Sequence, residues 1–352
     1  MARSTIRDVA RIARVSVSTV SRVLNEHPYV TEETRRRVAE AMDELQYRPD
    51  VAARSMRTGA TRAIGFVFAD FSNPLFSAIA MGADSVLHPL GYSLVLANSV
   101  RDPERETEVI ATLRDRRVDG LLLSLADERT AGLRERLAAF GSVVLLDRDV
   151  PDLHCDRVLT DHAAGIRGAL DHLLALGHRR IAMIAGTEAQ RAIRERLRAF
   201  REGMGDFFDE QLVRAVDPLL ESGHDAALNL LQSRHRPTAL IAAHNQLFAG
   251  ILSAVRELAL RVPADLSLVT CEDDDLARLN EPPVDVVRRD MAALGEAAAR
   301  LLLARLEGNG PPREVMLPAH FEIRSSSSSP RGGRRGAGAR VLAADPNRGR
   351  ED

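Results

Sequence analysis

Between residues 16 and 25 the chain reads Ser16-Val17-Ser18-Thr19-Val20-Ser21-Arg22-Val23-Leu24-Asn25, short polar side chains interleaved with apolar ones. At helical spacing Val20, Val23 and Leu24 share one side, which leaves Val17, Ser18, Ser21, Arg22 and Asn25 on the other. Short hydroxyl side chains let a helix approach a surface closely, and an Arg among them can make a bidentate bond to a guanine edge. That is the chemistry of a helix lying in a DNA major groove, with Ser18 and Arg22 at base edges and Val17 against a thymine methyl. Ser16, Thr5, Ser21 and Asn25 would then hold the phosphate backbone, and Thr19 offers one more hydroxyl. The same pattern also describes a generic three-helix domain with a solvated polar face, and spacing alone leaves the two readings level.

Three short helices must position those residues. Thr5 and Asp8 have the capping-box spacing, and Ile6, Val9, Ala10 and Ala13 recur as one apolar face. Arg14-Val15-Ser16 interrupts that face, with Ser16 placed to cap the second helix. Thr31 caps a third, whose first turn carries Glu32 and Glu33 and whose buried stripe is Val38, Ala41, Met42 and Leu45. Each alone is too short to persist in water, so the three must share a core.

Charge is distributed to match. The 352 residues carry a net −2, but residues 1–60 hold eleven Arg against eight acids, and residues 61–324 hold 31 Arg against 39. All 48 basic residues are Arg. A basic head on an acidic body suits a head that meets a polyanion. Only Cys155 and Cys271 occur, far apart, which points to free thiols in a reducing compartment. The start MARSTIRDVARIARVS lacks the apolar run of a signal peptide, and no stretch of about 20 apolar residues could span a bilayer. A cytoplasmic location, with no membrane partner, is expected.

Beyond the head, Tyr47-Arg48-Pro49 ends the third helix, because Pro disfavours helix for the residue before it. Short apolar runs at 63–69, 92–97, 120–124, 143–146, 158–160, 180–185, 239–243 and 266–271 then read as strands. Helical stretches such as 104–117, 162–176, 189–204 and 246–260 lie between several of them. This alternation predicts an α/β body of parallel sheets, and some 260 residues of it predict two lobes. Ligands in open parallel sheets bind at the carboxyl ends of the strands.

Ordered motifs separate the two readings of the head. DVA in helix one, VSVSTVSRVLN, VTEET, and the YRPD and ARSM segments closely resemble the head of the lactose-repressor (LacI) family. LGHRRIAMIAG and LRVPADLSLV carry the resemblance, at lower density, towards residue 324. It implies a helix-turn-helix DNA-binding domain over 1–47, a hinge over 48–60, and an effector-binding and dimerisation domain over 61–324 built like a periplasmic binding protein. Lobe one would comprise about 61–160 and 289–317, and lobe two about 161–288 and 318–324. In the hinge, Met56 stands where the family wedges an apolar side chain between base steps, and Asp50 replaces the usual Asn. The implied assembly is a homodimer or dimer of dimers on a pseudo-palindromic operator, a repressor under the control of a small-molecule effector.

The resemblance also implies the effector contacts. Asn73 and Phe76, in FSNPLF, match positions that face or stack on the ligand; Asp147 matches a polar cleft residue, and Arg196, in RERLRAF, an Arg that clamps polar ligand groups. Three positions depart from the pattern. Asn245-Gln246 stands where Asn-Asp is usual, Glu272 where Asp is usual, and Ala199 where Gly is common. A sugar or another metabolite remains open on these residues, as does a degenerate cleft. Taken as residues alone, Phe76 also suits core packing, and Arg196 a solvated helix face.

Other chemistry finds little footing. His154, Cys155 and His162, with Glu272, Asp273 and Asp274 elsewhere, match no structural zinc spacing, so no metal and no cofactor are expected. No nucleophile elbow or phosphate-binding Gly-rich loop is present to suggest an enzyme. A small-molecule binding protein with a vestigial head is the alternative to a regulator. From Ser325 the tail, SSSSSPRGGRRGAGAR and onward, is rich in Gly and Ser and is expected to be disordered over 325–352.

Overall fold

A computed structural model of the chain describes residues 4–24, 27–47, 60–308 and 310–331. The expected hinge, with Asp50 and Met56, and the phosphate contact expected of Asn25 lie outside the described residues.

The head folds as α1 (Ile6–Ile12), α2 (Val17–Leu24) and α3 (Glu32–Glu44). Val9, Ala10, Ala13, Val20, Val38 and Ala41 are buried against one another, with Val23, Leu24, Met42 and Leu45 packed around them. The anticipated caps are in place. The Asp8 carboxylate accepts from the Thr5 amide at 3.0 Å and the Thr5 hydroxyl at 2.7 Å. Ser16 Oγ accepts from the Thr19 amide at 3.1 Å, and Thr31 Oγ1 from the Thr34 amide at 3.4 Å. Arg37, on α3, donates to the carbonyls of Ala13 and Arg14, which ties α3 to the turn that sets the angle between α1 and α2.

Among the described residues the body has two six-stranded sheets. In the first, β1 (Ala63–Phe68), β2 (Ser93–Asn98), β3 (Gly120–Ser124), β4 (Val143–Leu146) and β5 (Asp156–Thr160) alternate with α4 (Pro74–Leu87), α5 (Pro103–Asp115) and α6 (Leu133–Phe140). In the second, α7 (His162–Ala175), β6 (Ile181–Ala185), α8 (Arg191–Met204), β7 (Val213–Ala215), α9 (Leu220–Leu231), β8 (Ala239–Ala242), α10 (Asn245–Glu257), β9 (Ser267–Thr270), α11 (Asp275–Leu279) and β10 (Asp285–Arg289) follow in turn. The chain then returns to lobe one through α12 (Met291–Glu307) and β11 (Glu314–Leu317), and crosses once more into β12 (Ala319–Glu322). The strand orders are β11-β5-β4-β3-β1-β2 and β12-β10-β9-β8-β6-β7. Every pairing is parallel except β10 with β12.

The inner strands β3, β4, β6 and β8 are buried along their length and, Ser124 apart, apolar, as strands covered on both faces must be. A close crossing of α4 and α12 fixes the floor of the cleft. A Cβ at Gly82 would lie 2.1 Å from the Ala292 carbonyl oxygen, and one at Gly295 would lie 2.0 Å from that of Ile79. Only Gly permits that approach. No helix among the described residues is long and apolar enough to cross a membrane.

One expectation fails at the C-terminus. Disorder was anticipated from Ser325, yet residues 325–331 are held against lobe two. Ser326 is fully buried; its hydroxyl donates to the Leu268 carbonyl and accepts from the Asp285 amide at 2.7 Å. Ser327 bonds His172 at 2.7 Å and Ser328 bonds Ser267 and His178, while Arg331 meets Asp265 at 3.0 Å. Composition misled here because Ser hydroxyls satisfy backbone groups that an apolar segment would leave bare.

Candidate functional site

In the head, α2 presents the anticipated surface. Ser18 and Arg22 are exposed, Val17 retains 42% of its surface, and Thr19 and Ser21 are half-buried. Ser16 Oγ is shared with Ser18 Oγ at 2.7 Å and Thr19 Oγ1 at 2.8 Å, so the three hydroxyls form a compact cluster at the helix N-terminus. Backbone amides at that end, together with hydroxyls, favour a phosphate oxygen. Thr5 sits at the start of α1, its hydroxyl engaged with Asp8. One short-side-chained helix face carrying the exposed Arg22 is thus backed by a buried core.

The second site lies between the lobes. Helix and strand ends bring Asn73, Phe76, Asp147, Arg196 and Glu272 to one chamber of about 70 Å³, lined also by Asp70, Arg101, Arg148, His244 and Arg289. A wider mouth of about 410 Å³ shares Leu75, Glu272, Arg289 and Met291 with it and is lined by Asn245. Five of the seven residues anticipated from sequence therefore meet in the chamber, and Asn245 at its entrance. Gln246 lines neither space.

Asn245 and Gln246 instead join the lobes. Asn245 Nδ2 donates to Asn73 Oδ1 at 2.9 Å, and Asn73 Nδ2 returns a bond of 3.4 Å. Gln246 Nε2 donates to Asp70 at 2.9 Å, and its oxygen accepts from Arg101, which also pairs with Asp70. On the far side of the cleft Glu128 of lobe one, fully buried, accepts from the Arg191 amide at 2.8 Å and from Arg194. The lobes are closed on each other.

A network of buried charges fills the chamber walls. Asp147 follows β4 with φ of 53°, the left-handed region, and its carboxylate accepts from the Thr160 amide at 2.7 Å and hydroxyl at 2.9 Å. Arg289, at the end of β10, donates to Asp147 at 3.2 Å and to both oxygens of Glu272. Arg196 donates to the Ala243 carbonyl, to His162 Nδ1 at 3.3 Å and to Glu272 at 3.5 Å. Burial alone would raise the Asp147 carboxyl, but His162, Arg289 and the Thr160 amide outweigh it and hold the group well below the usual carboxylate range. Glu272 behaves likewise: burial is overcome by Arg289 and Arg196. Burial pushes the imidazoles of His162 and His244 down to about 4, so both are neutral at pH 7.

Sequence reasoning missed Arg289, His162, Arg148 and Arg101. Arg289 had a readable signal: a charged residue ending a Val-Val strand, directly before the capping Asp290 of α12, is where an open parallel sheet exposes its ligand-facing end. Phe76 lines the chamber yet is also core, stacked on Phe68 at 5.1 Å and edge-on to Phe66 at 6.5 Å.

Comparison with known proteins matches both halves. The family of bacterial regulatory proteins, lacI family, matches residues 5–50, and the periplasmic binding protein-like domain matches residues 170–327. The HTH-type transcriptional regulator DegA of Bacillus subtilis (strain 168) is 31% identical, over 93% of this chain and 98% of its own. The HTH-type transcriptional repressor PurR of Vibrio atlanticus (strain LGP32) is 30% identical, over 91% and 97%. Among solved structures, the lac repressor dimer bound to operator and an anti-inducer superposes with a TM-score of 0.83 at 27% identity, covering 93% of this chain and all of that one.

Proposed function

The chain belongs to the lacI family of bacterial regulatory proteins and is a sequence-specific DNA-binding transcriptional regulator, and from that premise we propose how its own residues divide the work. Arg22 and Ser18 read base edges, with Val17 against a thymine methyl. Thr5, Ser16, Thr19, Ser21 and Asn25 hold the phosphate backbone. The chain acts as a homodimeric repressor, one α2 in each half-site of a pseudo-palindromic operator, with Met56 of the hinge wedged into the minor groove.

The cleft is the effector site, formed by Asn73, Phe76, Asp147, Arg196, Asn245 and Glu272, with Gln246 acting on closure. Its walls come from both lobes, so a ligand that binds the closed form better shifts the lobes towards it, and the dimer with them. A coupling of about 1–3 kcal/mol between cleft and operator suffices for regulation. The observation carrying this reading is the exposed Ser18–Arg22 face on a buried three-helix core. Selection of bound duplexes from a random-sequence pool tests it. The expected outcome is enrichment of an inverted repeat with half-sites about one helical turn apart; a pool that stays random contradicts it.

A further inference from the structure

The chamber holds more fixed positive charge than negative, and a buried guanidinium nitrogen in its walls has a hydrogen with no acceptor. At its rim Arg101 pairs with Asp70. Inside, three guanidiniums, of Arg148, Arg196 and Arg289, line the chamber against two carboxylates, of Asp147 and Glu272. Arg148 makes its bonds to carbonyls, of Leu125 at 2.6 Å and Asp147 at 3.0 Å, and stands 3.9 Å from Glu128, which Arg194 already engages. Adding Glu128, Arg191 and Arg194 to the count leaves the excess positive.

The hydrogen-bond ledger agrees. Among the described residues, few buried side-chain nitrogen or oxygen atoms have no partner, and Nε of Arg289 is one of them, whereas Nε2 of His162 stands 3.2 Å from the Asp147 carboxylate. Arg289 Nε can only donate. The acceptors, by contrast, are committed: Asp147 to Thr160 and Arg289, Glu272 to Arg289 and Arg196. A neutral sugar must place hydroxyl hydrogens as well as accept, and one face of the aromatic it would stack on, Phe76, is taken by Phe68. A carboxylate or phosphate accepts without donating and neutralises a buried cation, which is otherwise costly. At about 70 Å³ the chamber is smaller than the cavity of about 150 Å³ that holds a benzene ring.

We infer that the effector of this regulator is a small anion, a short-chain carboxylic acid or a phosphate monoester, whose charged group is held by Arg148, Arg196 and Arg289. The inference rests on the cleft being the effector site and names what that site takes.

The test is ligand titration of the full chain, by thermal shift and calorimetry at pH 7 and constant ionic strength. Pyruvate, malate and citrate form the carboxylate arm, inorganic phosphate and glycerol 3-phosphate the phosphate arm, and glucose and ribose the neutral arm. One anion should bind saturably with Kd below about 1 mM and raise Tm, and the arm it belongs to identifies the acid. Glu272→Gln, which removes a competing carboxylate, should tighten that anion by about threefold, and Arg148→Gln should weaken it by about tenfold. Saturable binding of a sugar that Glu272→Gln weakens overturns the anion while leaving the cleft as the site. No saturable anion in either arm also overturns it. An anion whose affinity neither variant moves contradicts the cleft itself.

Discussion

Asn73, capping the first helix of one lobe, and Asn245, the first residue of a helix in the other, exchange hydrogen bonds of 2.9 and 3.4 Å across the cleft. Together with Gln246 bridging Asp70 and Arg101, this pair makes closure a property of the chain's own side chains. Gln246, one of the three positions at which the sequence departs from the family pattern, sits at that seam beside Asn245.

Weakening the seam should open the body. Each hydrogen bond contributes about 0.5–1.5 kcal/mol, so Asn245→Ala combined with Gln246→Ala shifts the closed-to-open ratio by about tenfold or more. Small-angle scattering of the double variant should give a larger radius of gyration than the unsubstituted chain under the same conditions. Superimposable scattering curves would show that the latch does not set closure.

Glu106 predicts an alkaline loss of stability. Buried beneath the loop that carries Glu128, it accepts from the Ala126 amide at 2.8 Å, and burial raises its carboxyl to about 7. Because the folded value lies above the unfolded one, the protonated form is favoured in the fold, and stability falls as pH rises from about 4.5 to about 7. Glu106→Gln removes that titration while keeping the acceptor. Urea unfolding should show the variant gaining about 3 kcal/mol on the unsubstituted chain between pH 4.5 and pH 8. Parallel pH profiles would contradict the assignment.

The two cleft histidines act in the opposite sense. His162 and His244 titrate at about 4 in the fold because burial disfavours the imidazolium. The unfolded chain takes up protons first, so stability is lost as pH falls from about 6.5 to about 4, by up to about 3 kcal/mol for each residue. His244→Asn should flatten that acid limb in the same urea series. An unaltered limb would mean that His244 is solvated.

The serine run should matter to lobe two. Ser326→Ala strips a donor from the Leu268 carbonyl and an acceptor from the Asp285 amide, both buried. The expected cost is about 1–3 kcal/mol, and truncation after Arg324 costs more. Calorimetric Tm checks both; a truncated chain that melts with the full one would show the segment to be passive.

Much of this was legible because local rules and global packing agree. The capping hydroxyls Thr5, Ser16 and Thr31 mark helix starts at the right residues, and the strand runs fall within a residue or two of their observed ends. The chamber residues Asn73, Asp147, Arg196 and Glu272 follow from matched motifs. What pattern could not supply was pairing. Whether Arg196 reaches solvent or His162, and whether Glu272 is free or bound by Arg289, depends on residues up to 142 positions apart meeting at strand ends, as Arg289 and Asp147 do. The serine run escaped for a related reason: its order comes from hydroxyls meeting backbone groups of lobe two, which composition does not encode.

The most direct test concerns Arg22. Equilibrium binding of the unsubstituted chain and Arg22→Ala should be measured on the selected duplex and on a scrambled duplex of equal length, at one fixed salt concentration. The account predicts that the variant loses about 1–3 kcal/mol on the selected site, and its base preference at one position per half-site, while affinity for the scrambled duplex falls by much less. Equal losses on both duplexes would place Arg22 on the phosphate backbone and contradict base reading by this helix.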